Sequence, residues 1–365
     1  MARLRIAVIG AGRLGGFHAQ KIAARGDLEF VGVADPDRAA RERVAKACDT
    51  RPVADYRELF GEVDAAVVAA PTHVHYDLGV ALLERGIHVL MEKPLCVDAE
   101  EAEALVNLSV KREAVLQTGH VERFNPAWRH LGESVCSPKY IEGIRSSGYT
   151  FRSTDVGVVL DLMIHDIDLV LSLVGSPVRR VEALGVSVMG GFEDVASARF
   201  EFECGCVAVL RASRVSREPA RRMQVWASGG FAEIDFASRT AAITGPSDTI
   251  RRREFHVDSL SPEELEYYRE HLFEEHFPRE TFQEQAVDAL ALELDDFVKS
   301  ISSKREPLVS GRAGADAVAV AERVLDAIDN HAWNGVPDGF TGPYAPFGRA
   351  ILPISEISQQ KRRVG

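Results

Sequence analysis

The stretch LRIAVIGAGRLG, residues 4–15, is an apolar run that leads directly into three glycines with the spacing G-x-G-x-x-G. Residues 4–9 are rich in β-branched side chains and predict a buried strand, and the pattern from Gly16 to Arg25 predicts a helix. A strand, a glycine turn and a helix in this order are the context in which the glycine motif indicates a dinucleotide-binding site.

Each glycine of this motif has its own task. Gly10 permits the tight turn after the strand, Gly12 lets the backbone approach a pyrophosphate, and Gly15 allows the helix to pack closely on the strand. The start of the helix, with Arg13 and Leu14 in its first turn, is then expected to face the phosphates, because its backbone N–H groups point toward an anion.

A carboxylate follows the second predicted strand, Glu29–Ala34. Asp35 lies 20 residues after Gly15, about where an acid binds the ribose hydroxyls of NAD. The same charge repels the 2'-phosphate of NADP, although Arg38 lies nearby and an arginine can accommodate that phosphate. The sequence therefore predicts NAD as the cofactor and favours NADP less.

Strands and helices alternate as far as residue 118. The predicted helices are Arg38–Ala47, Tyr76–Arg85 and Ala99–Arg112, and the later predicted strands are Ala65–Ala70, Gly86–Met91 and Val115–Thr118. Such alternation is typical of a doubly wound parallel sheet, so we expect a Rossmann dinucleotide-binding domain over residues 1–122. Ligands bind such sheets beyond the carboxyl ends of the strands, which places Pro71, Glu92 and Gly119 at the same edge as Gly10.

The second half of the chain predicts a sheet of another kind. Runs such as Ala196–Phe202 alternate apolar and polar residues, which indicates a sheet buried on one face and open on the other. Gly205 indicates a hairpin turn, and the tail from Asn334 is expected to be irregular. Helices are predicted at Val158–Val174, Thr281–Ile301 and Gly314–Asn330. We therefore expect an α+β domain over residues 123–365 with an open-faced, mainly antiparallel sheet.

Composition disfavours several classes of function. The chain has 43 Lys and Arg against 55 Asp and Glu, a net charge of -12, which argues against a general binder of nucleic acid or anionic membranes. Its five cysteines contain no Cys-x-x-Cys pair, and His271 and His276 lack the i, i+4 spacing of a helical metal pair, so no metal is predicted. Without a secretory pattern or a long apolar run, a reducing cytoplasm is the expected compartment.

Asp161 and His165 lie four residues apart in the predicted helix Val158–Val174 and project from one face of it. A carboxylate that orients a histidine can tune it as a general base near neutral pH. On these residues alone, a core histidine beside a solvated acid is the simpler interpretation. The spacing by itself leaves both interpretations open.

Two further motifs carry a family resemblance. PTHVH at residues 71–75 and GIHVLMEKPL at residues 86–95 resemble the Gfo/Idh/MocA family, named for glucose-fructose oxidoreductase and inositol dehydrogenase. The resemblance covers nearly the whole chain. It implies a nicotinamide cofactor, oxidation or reduction of a sugar or cyclitol alcohol, and an outer sheet face that mediates homo-oligomers such as dimers or tetramers.

The resemblance also implies roles for individual residues. Lys93 matches the active-site lysine of the family, and Thr72 and His75 match residues that line the cofactor and the reaction site, with Pro71 and Glu92 beside them. Asp161-x-x-x-His165 matches a motif of the substrate domain. The implied catalytic residues are therefore Lys93, Asp161 and His165, with either Lys93 or His165 as the base.

The stretch GHVERFNP, residues 119–126, is similar to family members that act on nucleotide sugars, particularly UDP-N-acetylglucosamine 3-dehydrogenases. It implies that His120, Arg123 and Asn125 hold the substrate together with Lys93 and His165. The planar fork of an arginine suits a diphosphate, because it binds phosphate oxygens in pairs. On the residues alone, an exposed linker between domains is the alternative.

The expected function is thus NAD-dependent oxidation of a sugar ring alcohol, with UDP-N-acetylglucosamine oxidised at C3 as the preferred substrate. Another hexose or an inositol is the nearest rival. A non-catalytic NAD-binding sensor is the alternative from a different class, which would have no need of Lys93, Asp161 and His165.

Overall fold

The apolar runs of the N-terminal half form six parallel strands in the order β3-β2-β1-β4-β5-β6. They are β1 (Leu4–Ile9), β2 (Leu28–Ala34), β3 (Arg51–Val53), β4 (Ala65–Val68), β5 (His88–Glu92) and β6 (Leu116–Gly119). The central strands are the most buried, and Ile6, Val67 and Leu90 are fully enclosed. Both the parallel sheet and its order confirm the predicted Rossmann fold.

Helices connect these strands in the alternation that the sequence predicts. They are α1 (Arg13–Ala23), α2 (Arg38–Cys48), α3 (His75–Leu83) and α4 (Ala99–Lys111), with 3-10 turns at Tyr56–Leu59, Thr72–Val74 and Val121–Phe124. Asp37 and Asp98 cap α2 and α4, since each side chain accepts a hydrogen bond from a backbone N–H in the first turn.

The second sheet has eight strands in the order β14-β13-β12-β11-β7-β10-β9-β8. They are β7 (Tyr140–Ser146), β8 (Val178–Val186), β9 (Val195–Phe202), β10 (Val207–Ser213), β11 (Ala220–Ala227), β12 (Gly230–Asp235), β13 (Thr240–Thr244) and β14 (Arg279–Gln283). All neighbours are antiparallel except β7 and β10. The strict burial alternation along β9 confirms the predicted one-sided sheet, and Gly205 forms the predicted turn with a φ of 84°.

The helices described alongside this sheet include α5 (Pro126–Arg129), α6 (Ile164–Val174), α7 (Asp248–Arg251) and α8 (Pro262–His276). The helix predicted from Val158 to Val174 differs at its start, because Val159–Met163 forms a π-helical segment that leads into α6. The charged region that follows Ser259 contains a helix. A capping box in which Ser261 and Glu264 hydrogen-bond each other's backbone starts α8.

The helix predicted over Thr281–Ile301 is wrong in its first third. Residues Arg279–Gln283 form β14, which pairs with β13 at the edge of the sheet. The helix, α9 (Ala289–Ser303), starts only after Asp288, whose side chain caps it by accepting from the N–H of Ala291. The edge strand carries mostly polar, exposed residues, so it lacks the apolar alternation by which the other strands were found.

The structure is a computed structural model that describes residues 3–131, 135–151, 155–284, 287–333 and 339–344. Within these ranges the chain divides into two units, one combining residues up to Phe124 with Asp288–Asp326, the other combining Asn125–Val287 with residues from Ala327. Most of the tail predicted to be irregular from Asn334 lies outside the described residues. No helix in the described ranges is long and apolar enough to cross a membrane.

Two late helices, α9 and most of α10 (Gly311–Asp329), pack with the first unit. Leu294 and Phe297 of α9 are fully buried in the core that also contains Ile6 and Val8 of β1. Burial of such large apolar side chains is worth about 1.5–3 kcal/mol each, which is why α9 packs with the first unit. The functional division at residue 122 stays a prediction, but the packing groups Asp288–Asp326 with the first unit.

Candidate active site

The turn after β1 has the backbone geometry that a dinucleotide requires. Gly10 adopts a φ of 98°, and a Cβ there would lie 2.4 Å from the carbonyl oxygen of Ala69. A Cβ on Gly15 would lie 1.9 Å from the carbonyl oxygen of Gly10. Both positions therefore exclude any side chain. A Cβ on Gly12 would meet nothing within 4 Å, so this glycine faces open space at the start of α1.

The start of α1 leaves backbone donors available for an anion. Gly12 is the N-cap residue and supplies no side-chain cap, and the first turn contains no acidic residue. The N–H groups of a first helical turn lack partners within the helix and carry partial positive charge. Open space in front of these donors fits the pyrophosphate of a dinucleotide.

Asp35 lies directly after β2 and is fixed by the neighbouring backbone. Its Oδ2 accepts from the N–H of Ala11 at 2.6 Å, and its Oδ1 accepts from the N–H of Asp37 at 2.8 Å. An ionised carboxylate has about four acceptor positions, so two remain for ribose hydroxyls. The structure thus ties the predicted ribose ligand to the glycine turn itself.

Other residues predicted to bind the cofactor are exposed. Arg38 forms an ion pair with Glu42 at 2.7 Å, and its side chain is 79% exposed. Arg13 lies over the ring of Phe17 at 5.5 Å, and Leu14 is 37% exposed. Arg38 is therefore already paired with an acid, which disfavours it as a ligand for the 2'-phosphate of NADP.

The turn that carries Lys93 follows β5, beside the ends of β4 and β6. His75 joins this turn to the end of β4, because its Nδ1 lies 2.9 Å from the carbonyl oxygen of Pro94 and its Nε2 lies 2.9 Å from that of Ala70. Burial lowers the pKa of His75, although both carbonyls and nearby Glu92 act in the opposite direction. Both ring nitrogens thus contact backbone, and His75 acts on the site by holding the turn.

Glu92 is buried at the last position of β5. Its Oε1 lies 2.6 Å from Nε2 of His18, and its Oε2 accepts from the backbone N–H of Lys93 at 3.3 Å. Lys93 itself is half-buried, and Thr72 is buried at the end of β4. The Glu-Lys-Pro motif therefore contains one buried acid that holds the backbone and one lysine at the sheet edge.

His120 and Arg123 follow β6 at the same sheet edge. His120 is completely buried, and burial together with the charges of Lys93 and Arg123 lowers its pKa to about 3. Its imidazole is therefore neutral at neutral pH. A neutral ring between two cations can orient a polar group without adding a third positive charge.

Asp161 and His165 lie in the second unit, at the start of the helical stretch 159–174. Asp161 is in the π-helical segment and His165 is in the first turn of α6. Both side chains are half-buried. Segments of π-helix occur often at functional sites, and here the segment carries the predicted carboxylate.

Buried charges fix the entry to this helix. Glu193 accepts from the N–H of Val159 at 3.1 Å, and a Cβ on Gly157 would lie 2.0 Å from the Glu193 carboxylate. Burial raises the pKa of Glu193. Arg214 pairs with Asp194 at 2.7 Å and donates to the carbonyl oxygen of Val156 at 2.7 Å.

A second buried ion pair fixes α6 to the sheet. Arg145 of β7 and Asp166 of α6 approach to 2.7 Å, and their side chains are 4% and 3% exposed. Asp166 is adjacent to His165, so this pair sets the rotation of the helix on the sheet. Neither Glu193 nor Arg145 was expected from the sequence.

Asn125 has a structural task in the second unit. Its Oδ1 accepts from the N–H of Ala127 and caps α5, and its Nδ2 donates to the carbonyl oxygen of Phe236 at 3.1 Å. The side chain is buried. Its predicted contact with substrate stays a prediction.

The residues missed from the sequence share one signal. Apart from Glu193, which lies in the loop between β8 and β9, they are charged or titratable side chains at buried positions of helices and strands, as His18 is on α1 beside Gly15, Ala19 and Ile22. Such residues are rarely buried unless they are paired. A polar residue within an apolar stripe could therefore have indicated such a buried position, but the sequence does not show which residue pairs with it.

Comparison with known proteins places this geometry in a family. Residues 4–120 match the model of the "Oxidoreductase family, NAD-binding Rossmann fold", and residues 135–233 match the "GFO/IDH/MocA C-terminal domain". A curated relative, UDP-N-acetylglucosamine 3-dehydrogenase of Acidithiobacillus ferrooxidans, is 36% identical over 330 residues, which cover 90% of this chain and 98% of that enzyme.

The chain belongs to the Gfo/Idh/MocA family. It is an oxidoreductase with an NAD-binding Rossmann domain, as the motifs at residues 71–75 and 86–95 implied.

Further relatives show the breadth of this family. Inositol 2-dehydrogenase of Rhizobium meliloti is 24% identical, with coverage of 89% of this chain and 97% of that protein. The solved structure of the A. ferrooxidans enzyme matches with a TM-score of 0.78 at 35% identity, covering 90% of this chain and 98% of that one. A levoglucosan dehydrogenase in complex with NADH matches at 0.76 and 17% identity, which shows a shared fold.

The glycine turn fits the cofactor of the family. The open space at Gly12, the uncapped start of α1 and the Asp35 carboxylate lie together at the ends of β1 and β2. Asp35 is an acid at the position where NADP would bring its 2'-phosphate. The family and the geometry therefore agree on NAD.

Proposed function

We propose that this enzyme oxidises a ring alcohol of a nucleotide-linked sugar, with UDP-N-acetylglucosamine as substrate and C3 as the oxidised carbon. The observation that carries the proposal is the 36% identity with a UDP-N-acetylglucosamine 3-dehydrogenase over 98% of that enzyme's length. Arg123 supports it, because it lies in the 3-10 turn that follows β6 and a guanidinium suits a diphosphate.

In the proposed mechanism, His165 accepts the hydroxyl proton of the sugar and Asp161 orients the imidazole. Lys93 donates a hydrogen bond to the same oxygen and stabilises the alkoxide charge that develops. Bound NAD supplies the hydride acceptor. Lys93 as the base is the competing assignment.

The decisive experiment is a substrate panel. The purified enzyme is incubated with NAD and, in separate reactions, with UDP-N-acetylglucosamine, UDP-glucose, N-acetylglucosamine, glucose and myo-inositol, and NADH absorbance is followed. We expect NADH with UDP-N-acetylglucosamine and a keto product two mass units lighter, with the carbonyl located at C3 by NMR. NADH from free polyols alone would contradict the nucleotide-sugar proposal and favour an inositol or hexose dehydrogenase.

A paired variant tests the diphosphate contact. Arg123→Met is expected to raise KM for the UDP-sugar by about 10-fold to 100-fold, because a charge-assisted contact contributes about 1.5–3 kcal/mol. Arg129→Met, on exposed Arg129 six residues away, is the matched control and should leave KM unchanged. Equal effects of both variants would refute the contact.

The pH dependence of kcat/KM distinguishes the two candidate bases. If His165 is the base, His165→Gln should abolish the acidic limb of the profile while Lys93→Arg retains it. The reverse result would assign the base to Lys93. Binding of NAD without turnover of any sugar would favour the sensor alternative.

The open face of the eight-stranded sheet is our proposed homo-oligomer interface. Tyr140, Trp226 and Phe231 form a half-exposed aromatic cluster on it, with ring centroids 5.2 and 4.9 Å apart. A groove of about 830 Å³ lies on this sheet. Light scattering should show a dimer or tetramer, and Trp226→Glu should reduce it to smaller species. Lys111→Glu, at the exposed end of α4 and outside this sheet, is the control and should leave the oligomer unchanged.

A reducing cytoplasm is the compartment that we propose. The cysteines of the chain, Cys48, Cys96, Cys136, Cys204 and Cys206, are all free thiols in the structure. Burial raises the pKa of Cys206 to about 11, which keeps that thiol protonated and unreactive. Fractionation of native cells, with the protein found outside the cytoplasmic fraction, would contradict the assignment.

A further inference from the structure

A buried polar cluster adjoins the turn that carries Lys93. His18 of α1, Glu92 of β5 and Glu293 of α9 are 0%, 6% and 0% exposed. One ligand-type atom from each residue lies within 4.8 Å of the others. These residues are far apart in sequence, and all three belong to the first unit. Two carboxyl groups and one imidazole thus share a space closed to solvent.

Glu92 is the fixed member of this cluster. Its two oxygens contact Nε2 of His18 at 2.6 Å and the backbone N–H of Lys93 at 3.3 Å. Gly119 leaves the carboxylate its space, because a Cβ there would lie 2.7 Å from Glu92 Oε2. The position of this carboxylate therefore sets the position of the Lys93 backbone.

His18 donates to Glu92 through one nitrogen only. Its Nδ1 is buried and has no hydrogen-bond partner among the described residues. A proton on Nδ1 would be buried without an acceptor, which is costly. The proton therefore belongs on Nε2, where it forms the hydrogen bond to Glu92.

Unlike Glu92, Glu293 has a buried carboxyl group that no hydrogen bond among the described residues supports. Within the described part of the chain, neither of its oxygens has a hydrogen-bond partner. Burial, followed by the charges of Glu92 and Asp296, raises its pKa well above the ordinary value of 4.5. The 3-10 turn Val121–Phe124 that packs against α9 adds one charge of each sign, Glu122 and Arg123.

We propose that His18 and Glu293 are positioning residues for Lys93, with Glu92 as the single anion of the cluster and Glu293 as a neutral acid. His18 holds the Glu92 carboxylate, and that carboxylate holds the backbone of the catalytic turn. Glu293 fills the space beside Glu92 without bringing a second negative charge. This inference rests on the catalytic role proposed for Lys93.

A divalent metal is the alternative occupant of this cluster. Imidazole and carboxylate groups are zinc ligands, but two ligands of one tetrahedral zinc lie about 3.3 Å apart. His18 Nε2 and Glu92 Oε1 are 2.6 Å apart, which is the length of a hydrogen bond. A metal-binding histidine also donates its second N–H to an acceptor, and Nδ1 of His18 has none among the described residues.

Infrared spectroscopy tests the protonation of Glu293 without any substrate. The difference spectrum between wild type and Glu293→Gln at pH 7 in D2O should contain the carbonyl band of a protonated carboxylic acid. A carboxylate band in its place would overturn the proposal. So would one equivalent of a divalent metal in the purified enzyme, measured by plasma mass spectrometry. Because neither measurement needs turnover, their outcome does not depend on whether the proposed substrate is correct.

Steady-state kinetics of variants at Glu92 and Glu293 test whether these residues position Lys93. Glu92→Gln should lower kcat by about 100-fold, because small displacements of a catalytic group have effects of this size, while KM changes by less than about threefold. Glu293→Ala should lower kcat by about 10-fold, and Glu293→Gln should restore most of it, with the wild-type pH profile.

Glu103→Gln is the matched control for these variants, because Glu103 forms an exposed ion pair with Arg312 in the same unit. It should leave kcat and the pH profile unchanged. An unaltered kcat in Glu293→Ala, or a shifted pH profile in Glu293→Gln, would overturn the positioning role. Circular dichroism spectra verify that each variant is folded.

Discussion

The turn that carries Lys93 and the helix that carries His165 are anchored by different chemistry. The turn is held by hydrogen bonds to one buried acid, Glu92, and by the contacts of His75 with two backbone carbonyls. The helix is held by paired opposite charges, among them Arg145 with Asp166. Each anchor lies within its own unit of the fold.

Because the two regions are anchored differently, substitutions in them should affect different properties of the enzyme. Removal of one partner from a buried ion pair leaves an uncompensated charge, so stability suffers first. Removal of a hydrogen bond from the Lys93 turn displaces the proposed catalytic lysine in a sheet whose core is otherwise intact, so turnover should suffer first. Variants in the two regions should therefore separate activity from stability.

The largest expected effect is at Lys93 itself. Lys93→Ala should lower kcat by about 10³-fold or more, because it removes the group that we propose stabilises the alkoxide. Steady-state kinetics measure the loss, and fluorescence titration should show nearly unchanged NAD affinity. Lys111→Ala, at an exposed lysine at the end of α4, is the control, and a loss below tenfold at Lys93 would remove it from the mechanism.

The buried ion pair should give the largest effect on stability. Arg145→Met should lower the free energy of unfolding by about 3–5 kcal/mol, because the buried Asp166 carboxylate loses the Arg145 guanidinium. Urea denaturation measures this change, and the double variant Arg145→Met with Asp166→Leu should recover much of it. Arg222→Met, at an exposed pair with Asp235, is the control. Similar losses at both sites would show that burial of the pair is irrelevant.

Asp35 should affect cofactor choice and leave the fold intact. Asp35→Ala should shift the ratio of kcat/KM for NAD over NADP by about 10-fold, or about 1.4 kcal/mol, since the acid no longer repels the 2'-phosphate. Arg38→Ala should leave the ratio unchanged, because Arg38 is paired with Glu42. A wild type that prefers NADP would contradict the role of Asp35.

The smallest effect is a pH dependence at the entry to the helix. Burial raises the pKa of Glu193 in the folded state, so the folded chain binds a proton that the unfolded chain releases above about pH 4.5. Stability therefore falls as pH rises from this value toward the folded-state pKa. Glu193→Gln should flatten this decline, measured by urea denaturation at a series of pH values. An unchanged slope would mean that Glu193 is ionised in the folded state.

The first region was largely predictable from the sequence, because its signals are local. A glycine turn, the acid at Asp35 and the Glu-Lys-Pro motif each lie within a few residues of a strand end, and parallel strands bring those ends together. The parallel sheet and the NAD-binding fold followed from the same alternation of strands and helices.

The anchors were not predictable, because their partners are distant in sequence. Glu193 contacts a helix start that lies 34 residues earlier, and the His18 contact with Glu92 spans 74 residues. A periodic pattern marks a core-facing position but does not tell which charge will meet it there. The polar edge strand β14 was mistaken for helix for a related reason, since its place depends on pairing with β13.

The assignment of α9 to the first unit has a consequence for how the protein is made. The chain leaves this unit at Phe124 and returns at Asp288, so ribosomal synthesis delivers residues 125–287 of the second unit before Leu294 and Phe297 can close the first core. Domains generally fold as units during synthesis, N-terminal first. Here part of the core of the Rossmann sheet stays open until α9 has been synthesised. Glu293 arrives with the same helix, so the polar cluster beside Lys93 is completed only when that delayed closure takes place.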